Sequence, residues 1–95
     1  MANYRLNNEA LADLDRLYEF GISAFGLNQA NEYYDGLIVH FQEIADQPKR
    51  YPAVDDIRKG YRRSMYVSHS IYYRIEGAGI VIVRVLGQQE PAKAF

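Results

Sequence analysis

The last third of the chain decides its fold. Residues 61–86 read YRRSMYVSHSIYYRIEGAGIVIVRVL, and apolar and polar residues alternate along much of this stretch. A period of two is typical of β-strands, while "SHS" at 68–70 and the glycines of "EGAG" at 76–79 suit tight turns. The pattern predicts three consecutive strands, near residues 61–67, 70–76 and 80–86.

The residues before these strands carry a helical period instead. Asn7 is a good N-cap, and Glu9 lies in the first turn, where the helix dipole favours a carboxylate. Apolar residues then recur at three- and four-residue spacing along one face: Leu11, Leu14, Tyr18, Ile22 and Phe25. The pattern predicts a first helix near residues 8–25.

A second helix is predicted near residues 29–46, with Asn28 as its N-cap. Its apolar face is formed by Tyr34, Leu37, Ile38, Phe41, Ile44 and Ala45. Gly36 lies within this helix at a cost of about 1 kcal/mol relative to alanine, which indicates close packing between the helices. Because the link between the two helices is short, they are expected to form an antiparallel hairpin.

These elements predict one α+β domain over residues 1–95, with an N-terminal helical hairpin packed on one face of a small, mostly antiparallel sheet. Tyr4–Leu6 alternates and is a candidate edge strand.

The absence of cysteine excludes disulfides and Cys-based zinc sites and suits a reducing compartment. The start of the chain shows no signal peptide, and no apolar run is long enough to span a membrane, so we expect a cytoplasmic protein.

Charge is divided unevenly along the chain. Residues 1–47 carry eight acidic and two basic residues, a balance of −6, whereas residues 48–95 carry nine basic and four acidic residues, a balance of +5. The basic half is therefore expected to meet an anionic partner, either nucleic acid or an acidic protein segment. Alternatively, the two halves partly neutralise each other in the fold.

Three arginines fall on the three predicted strands: Arg62, Arg74 and Arg84. If the helices cover one face of the sheet, these side chains are expected on the other, open face, together with Tyr66 and Tyr72. Guanidinium and aromatic groups suit stacking and bidentate contacts with a carboxylate or a phosphate. For Arg84 the alternative is a salt bridge within the domain, to Glu76 or to an N-terminal acid. A register slip of one residue would move these side chains to the other face.

A series of short motifs also runs in order through nearly the whole chain. They are an opening Tyr-x-Leu at 4–6, Ala-x-x-Asp-Leu at 10–14, Pro48 after the second helix, Gly-x-Arg-Arg at 60–63, Tyr-Arg at 73–74 and Arg-Val-Leu at 84–86. Each motif is weak alone. Their order and spacing together resemble the RelE/ParE toxin superfamily, and the ParE branch in particular.

The resemblance implies a toxin of a type II toxin–antitoxin system, of the kind used in plasmid or chromosomal maintenance. ParE-like members bind DNA gyrase, expected here through its A subunit, and convert it into a poison that breaks DNA. A ParD-like antitoxin wraps the toxin with its C-terminal segment, which gives a hetero-oligomer. We expect that segment to be apolar and acidic-leaning, so that salt weakens its association with the basic half of the chain.

RelE-like members instead cut messenger RNA on the ribosome, and this is the alternative function. Cleavage needs a base, an acid and a group that stabilises charge. In many relatives a histidine follows Arg-Val-Leu, but Gly87 stands there and no tyrosine follows it. His40 is predicted to be a half-buried packing residue and His69 a solvated turn residue. We therefore expect a binding toxin with no catalytic residue, no metal, no cofactor, no ribonuclease activity and no sequence-specific nucleic-acid contact.

The end of the chain, GQQEPAKAF at 87–95, is predicted to be a binding tail, with Gln88, Gln89 and Phe95 as candidate contacts. Pro91 ends strand pairing, and so polar a segment is expected to add little to a core. Removal of residues 88–95 is therefore expected to abolish toxicity while the fold survives. Phe95 is either a clamp that tucks back onto the domain or an exposed anchor for the antitoxin or gyrase.

Overall fold

A four-stranded sheet lies at the centre of the computed structural model, which describes residues 2–87 and 94–95. The elements are β1 (Tyr4–Leu6), α1 (Asn8–Phe25), α2 (Leu27–Asp46), β2 (Tyr61–Tyr66), β3 (His69–Glu76) and β4 (Gly79–Leu86). The strand order is β1-β4-β3-β2, with β1 parallel to β4 and the other pairs antiparallel. The predicted α+β architecture and edge strand are confirmed. Neither α1 nor α2 combines the length and the apolar character needed to cross a membrane.

The start of α1 is held by Asn7, as the sequence predicts. Its side-chain oxygen accepts a hydrogen bond from the Ala10 backbone N–H at 2.9 Å. Its own backbone N–H donates to the Ile82 carbonyl at 3.1 Å. The first bond satisfies a donor that the helix leaves unpaired, and the second attaches the helix start to β4.

A single glycine joins the two helices. Gly26 has φ 90° and ψ 165°, a conformation that residues with a Cβ rarely adopt, and its N–H donates to the Ile22 carbonyl at 2.9 Å. Because this tight link lets α2 start at Leu27, Asn28 lies inside the helix. The prediction that Asn28 caps α2 is therefore wrong.

The main core lies between the helical hairpin and the sheet. Its fully buried members include Leu37, Phe41, Ile44, Ile71, Tyr73 and Ile82. The predicted apolar face of α2 is confirmed. On α1 the buried residues are Ala10, Asp13 and Leu14, whereas Leu11, Ile22 and Phe25 are exposed. The predicted face of α1 is thus largely wrong, because the helix turns a carboxylate toward the sheet and exposes its C-terminal end.

The other face of the sheet is covered as well. Tyr72, Val81, Val83 and Leu86 are buried there with Val54 from the segment before β2. Ile57, Tyr61, Ala94 and Phe95 pack against this second cluster. This face is therefore not the open face predicted for the arginines, because the loop before β2 and the last two residues cover part of it.

Gly36 marks a close approach between α2 and the sheet. A Cβ at this position would overlap the hydroxyl group of Tyr66 in β2. The predicted helix–helix contact at Gly36 is therefore wrong. The hairpin instead closes at Gly21, where a Cβ would lie 3.3 Å from the Cβ of Ala30.

Candidate partner-binding surfaces

Arg84 forms a buried ion pair with Asp13 of α1. Its Nε and Nη2 atoms donate to the two carboxylate oxygens of Asp13 at 2.8 and 3.0 Å. The two side chains are only 13% and 4% exposed, and the Asp13 hydrogen bond raises the pKa of the Arg84 guanidinium. Glu9 adds a looser contact at 3.7 Å. The alternative of a salt bridge within the domain is therefore confirmed, with an N-terminal acid rather than Glu76 as the partner.

The position of Arg84 follows from an irregularity in the sheet. Tyr72 lies opposite Arg84 but Tyr73 lies opposite Ile82, so Val83 has no partner of its own on β3. Such a bulge interrupts the alternation of faces along β4. As a result Val85, rather than Arg84, joins the core beneath the helices.

Asp13 also supplies a hydrogen-bond acceptor to β4 at a point where no neighbouring strand provides one. β1 accompanies β4 only as far as Ile82, and the Val85 backbone N–H beyond that point donates to the Asp13 carboxylate at 3.0 Å. A buried backbone N–H without such an acceptor is costly. Arg84 and Asp13 are therefore structural residues that close the end of the sheet.

Arg62 lies on the helix side of the sheet, opposite Tyr73. Its guanidinium donates to the backbone carbonyls of Tyr51 at 2.6 Å and Lys49 at 3.5 Å. Burial raises the pKa of Tyr73 to about 12, and the nearby Arg62 charge opposes this shift. Arg62 thus holds the loop before β2 in place.

Arg74 lies on the opposite side of the sheet from Arg62, across from Tyr61. It pairs with Glu76 at 3.2 Å, and Arg5 of β1 pairs with the same carboxylate at 3.0 Å. The prediction that Arg62, Arg74 and Arg84 share one open face is wrong, because the register places Arg62 on the helix side.

Neither predicted tyrosine is freely exposed. Tyr72 is only 1% exposed, and its ring lies 5.2 Å from that of Phe95. Tyr66 is half-buried, with its ring 5.3 Å from Tyr33 and 5.4 Å from His40. Both rings therefore take part in packing within the domain, and their predicted role in partner binding stays a prediction.

Phe95 acts as a clamp. Its ring lies edge-on to Tyr61 at 5.6 Å and to Tyr72 at 5.2 Å, and the carbonyl of Ala94 accepts from Arg84 at 3.1 Å. The expectation that the tail adds little to the core is wrong for these last two residues. The other predicted tail contacts, Gln88 and Gln89, lie outside the described residues.

Two surfaces stand out instead, and the first is apolar. A groove of about 540 Å³ lies between the hairpin tip and the β2–β3 turn. We call it the hairpin groove and define it by Leu17, Phe20, Phe25, Ala30, Tyr33 and His69. Phe20 and Phe25 are 68% and 66% exposed, which is unusual for phenylalanine. The sequence analysis missed this surface because it assigned Phe25 to the core.

The second surface is basic. We call it the cationic ridge and define it by Lys49, Arg50, Arg58, Lys59 and Arg63. All but the half-buried Arg63 are exposed. The charge split along the chain indicated a basic surface, but the sequence analysis placed it on the arginines of three strands. In the structure it lies along the loop before β2 and on β2 itself.

A histidine–tyrosine pair lies in the hairpin groove. The Nδ1 atom of His69 is 2.7 Å from the hydroxyl of Tyr33, which also lies 3.1 Å from the Tyr66 carbonyl. Burial lowers the pKa of His69. The predicted solvated turn residue is thus a half-buried residue that begins β3, because the turn falls one position early at Val67 and Ser68.

His40 takes part in a second side-chain network. Its Nε2 atom lies 2.8 Å from the Ser64 hydroxyl and its Nδ1 atom 3.1 Å from a Glu43 carboxylate oxygen. The order Ser–His–Glu is that of a hydrolase triad, but Ser64 is only 2% exposed and no substrate reaches it. The network instead satisfies buried polar groups between α2 and β2, and the half-buried position predicted for His40 is confirmed.

Comparison with known proteins gives one consistent result. The family model for the ParE toxin of the type II toxin–antitoxin system parDE matches residues 4–91. The chain is 36% identical over 94 residues to toxin ParE1 of Caulobacter vibrioides, covering 99% of this chain and 97% of that protein. It is 34% identical over 89 residues to toxin ParE1 of Mycobacterium tuberculosis, covering 93% and 91%.

A solved structure agrees with this fold. The chain matches one described as the chromosomal ParDE TA system from P. aeruginosa with a TM-score of 0.80, at 19% identity, over 94% of this chain and 98% of that chain. At this identity the likeness shows the fold alone. The family model and the two relatives confirm the resemblance found in the sequence motifs: the chain belongs to the ParE toxin family of type II toxin–antitoxin systems.

Proposed function

We propose that the protein poisons DNA gyrase by binding it and promoting DNA breaks, and that a ParD-like antitoxin neutralises it in the cytoplasm. Membership of the ParE family supports both parts. One observation favours binding over RNA cleavage: the side chains that could act as acid and base do not lie beside the basic side chains that could stabilise charge. The candidate acid–base pair lies at the end of β2 on the helix side of the sheet, whereas the cationic ridge lies on the loop before β2 and on Arg63, whose side chain is on the other face.

The acid–base pair is His69 with Tyr33, in the hairpin groove. A Cβ on Gly87 would lie 3.7 Å from the His69 Nε2 atom, so His69 lies beside the position where many relatives carry a histidine. No arginine or lysine lines the groove among the described residues, and Glu32 does. The ridge residue on β2 is Arg63, which lies three residues, or about 10 Å along the strand, from Tyr66, the partner of His69. Its side chain lies on the opposite face of the sheet from those of Tyr66 and His69.

This separation is unfavourable for a ribonuclease. The transition state of RNA cleavage gathers negative charge on the phosphorus oxygens, and a cation close to the base must stabilise that charge. Among the described residues the groove offers such a phosphate no cationic side chain of arginine or lysine, and Glu32 adds a carboxylate to its lining. We therefore favour a toxin that acts by binding, with no catalytic residue.

The hairpin groove supports the antitoxin part of the proposal. Exposed aromatic side chains around a concave apolar surface are the usual anchors of a protein interface. The C-terminal segment of a ParD-like protein, with an apolar face, fits such a groove in the manner of a helix or strand laid between two elements. The phenylalanines Phe20 and Phe25 would supply most of the contact.

The test of the gyrase proposal is expression without antitoxin. We expect DNA breaks and the SOS response before translation stops, and breakage of supercoiled DNA by purified gyrase on addition of the protein. The double variant His69→Ala/Tyr33→Phe serves as the control, and it should break DNA as well as the wild type. Message cut on ribosomes by the wild type but not by this variant would overturn the proposal in favour of the ribonuclease.

A further inference from the structure

The proposed function gives the cationic ridge no bound partner of its own. Residues 49–63 carry six basic side chains and two acidic ones, a balance of +4. Within the part of the chain that the structure describes, no ridge side chain lies within 4.0 Å of a carboxylate, since the six salt bridges use other basic residues. The two acidic residues offset only part of this charge. Asp55 accepts from the Gly60 backbone N–H at 2.9 Å, and Asp56 is exposed.

The ridge is held on a rigid support. An isolated bridge pairs Ala53 with Arg62, and the Arg63 N–H donates to the Pro52 carbonyl at 3.1 Å, which attaches the loop to the free edge of β2. Arg62 adds its bonds to two loop carbonyls from below. The backbone that carries the basic side chains is therefore held along one edge of the sheet before any partner binds.

Two of the ridge guanidinium groups are also ordered by aromatic rings. The Cζ atom of Arg50 lies 5.9 Å from the centre of the Tyr51 ring, and that of Arg58 lies 5.8 Å from the centre of the Tyr61 ring. Such contacts hold a guanidinium without neutralising it, because the ring carries no formal negative charge. The donors remain available for an anion.

The surroundings of the ridge favour a phosphate backbone over an acidic protein. None of the large apolar side chains that the structure shows exposed lies in residues 48–63. A protein interface needs apolar or aromatic anchors, whereas binding along a phosphate backbone needs only charge. The exposed phenylalanines of this chain lie in the hairpin groove instead. The two surfaces therefore differ in the class of partner that each fits.

We propose that the cationic ridge binds the sugar–phosphate backbone of nucleic acid without reading base sequence. This second binding function is separate from the hairpin groove and does not require gyrase to be the target. The ridge lies on a loop and an edge strand and presents no helix for insertion into a major groove. Phosphate contacts alone position a protein on nucleic acid but carry no sequence information.

The proposal makes a quantitative prediction for salt dependence. Each phosphate neutralised contributes about −0.9 to the slope of log K against log salt concentration, so five contacts give about −4.5. Binding is expected to be weak at physiological salt, on the order of 10⁻⁴ to 10⁻⁶ M, and much tighter at low salt.

The experiment is fluorescence anisotropy with the pure full-length protein. The probes are a labelled DNA duplex of about 20 base pairs and mixed sequence, and an RNA hairpin of similar charge, between 25 and 200 mM salt. The variant Arg58→Gln/Lys59→Gln is compared with Arg5→Gln/Arg16→Gln, which removes the same charge elsewhere. We expect the ridge variant to bind about tenfold more weakly with a slope reduced by about 2, and the control to stay within about twofold of wild type.

A second ridge variant, Lys49→Gln/Arg50→Gln, should reproduce this loss, which guards against misfolding of the first. Binding of either probe with the expected slope supports the proposal, and the tighter probe identifies the nucleic acid. The absence of salt-dependent binding at 25 mM, or equal loss in ridge and control variants, would overturn it. Tighter binding of polyglutamate than of both nucleic acids would also overturn it and assign the ridge to an acidic protein segment.

Discussion

Asp13 accepts hydrogen bonds from the Arg84 side chain and the Val85 backbone, while Arg16 pairs with it from the surface. We expect Asp13→Asn to lower the free energy of unfolding by about 3–5 kcal/mol, because it leaves the buried Arg84 charge without its partner. The matched control is Arg16→Gln, which breaks only the exposed part of the network and should cost less than about 1 kcal/mol. Urea denaturation measures both, and equal effects of the two variants would contradict the buried role of Asp13.

His69 makes a single-residue prediction about pH. Because burial lowers its pKa below the ordinary 6.5, the folded protein favours the neutral ring. The stability that this provides is fully present above pH 6.5 and is lost as pH falls from 6.5 through the lower folded value. We expect the melting temperature of the wild type to drop more between pH 7.5 and 5 than that of His69→Gln. Parallel curves for the two proteins would show that His69 does not carry this dependence.

The packing of α2 on β2 makes a prediction at the scale of elements. Alanine favours a helix over glycine by about 1 kcal/mol, yet we expect Gly36→Ala to destabilise the protein by about 1–3 kcal/mol, because its Cβ would overlap the Tyr66 hydroxyl. Tyr66→Phe removes that hydroxyl. In a double-mutant cycle the Tyr66→Phe background should therefore relieve at least about 1 kcal/mol of the cost. Additive effects would mean that α2 and β2 are not in close contact at this point.

The clamp at the chain end is a second prediction for an element. We expect Phe95→Ala to lower the free energy of unfolding by about 1–3 kcal/mol, since the ring packs on Tyr61 and Tyr72 over the second face of the sheet. Met65→Ala, at a residue that is 54% exposed, is the control and should change stability by less than about 0.5 kcal/mol. Thermal and urea unfolding measure the difference.

This result also decides how a truncation of the tail is interpreted. Loss of toxicity on removal of the tail indicates target recognition only if stability is kept. If Phe95→Ala melts like the wild type while toxicity is lost, Phe95 is an anchor for a partner and the clamp is incidental.

At the scale of the whole molecule, the apolar and basic surfaces are separate. We expect Phe20→Ser/Phe25→Ser to raise the dissociation rate of a ParD-like antitoxin at least about tenfold, because it removes the anchors of the hairpin groove. Arg58→Gln/Lys59→Gln should instead lower only the association rate, by a few-fold at low salt, through weaker steering of an acidic-leaning segment. Stopped-flow kinetics at low and high salt separate the two effects. Val39→Ser, at a residue that is 62% exposed outside the groove, should change neither rate.

The two halves of the chain neutralise each other only in part. Among the described residues, the ion pairs that join them are Arg5 with Glu76 and Arg84 with Asp13 and Glu9. The cationic ridge takes no part in these pairs. The uneven charge seen in the sequence therefore does produce a basic surface on the folded protein, although the predicted location of that surface was wrong.

Local patterns in the sequence were enough to predict the helices and strands of the fold. The change of period from 3.6 to 2, the Asn7 cap and the glycines at 77 and 79 predicted the helices and strands to within two residues. These features depend on contacts between residues close in sequence, so they can be predicted from the sequence without knowledge of the tertiary structure. The ordered motifs likewise identified the family, because each motif is a short pattern of residues close together in the sequence.

Only the tertiary structure decided which residues form the surfaces. A bulge opposite Tyr72 shifted the alternation of β4, the β2 register placed Arg62 beneath the helices, and Phe95 returned to cover the second face. Each outcome depends on a partner far along the chain, and a shift of one residue reverses the face of every side chain on a strand. The sequence therefore determined the fold and the family of this protein by itself, while long-range pairing decided that Arg84 is structural and that the free charge lies along residues 49–63.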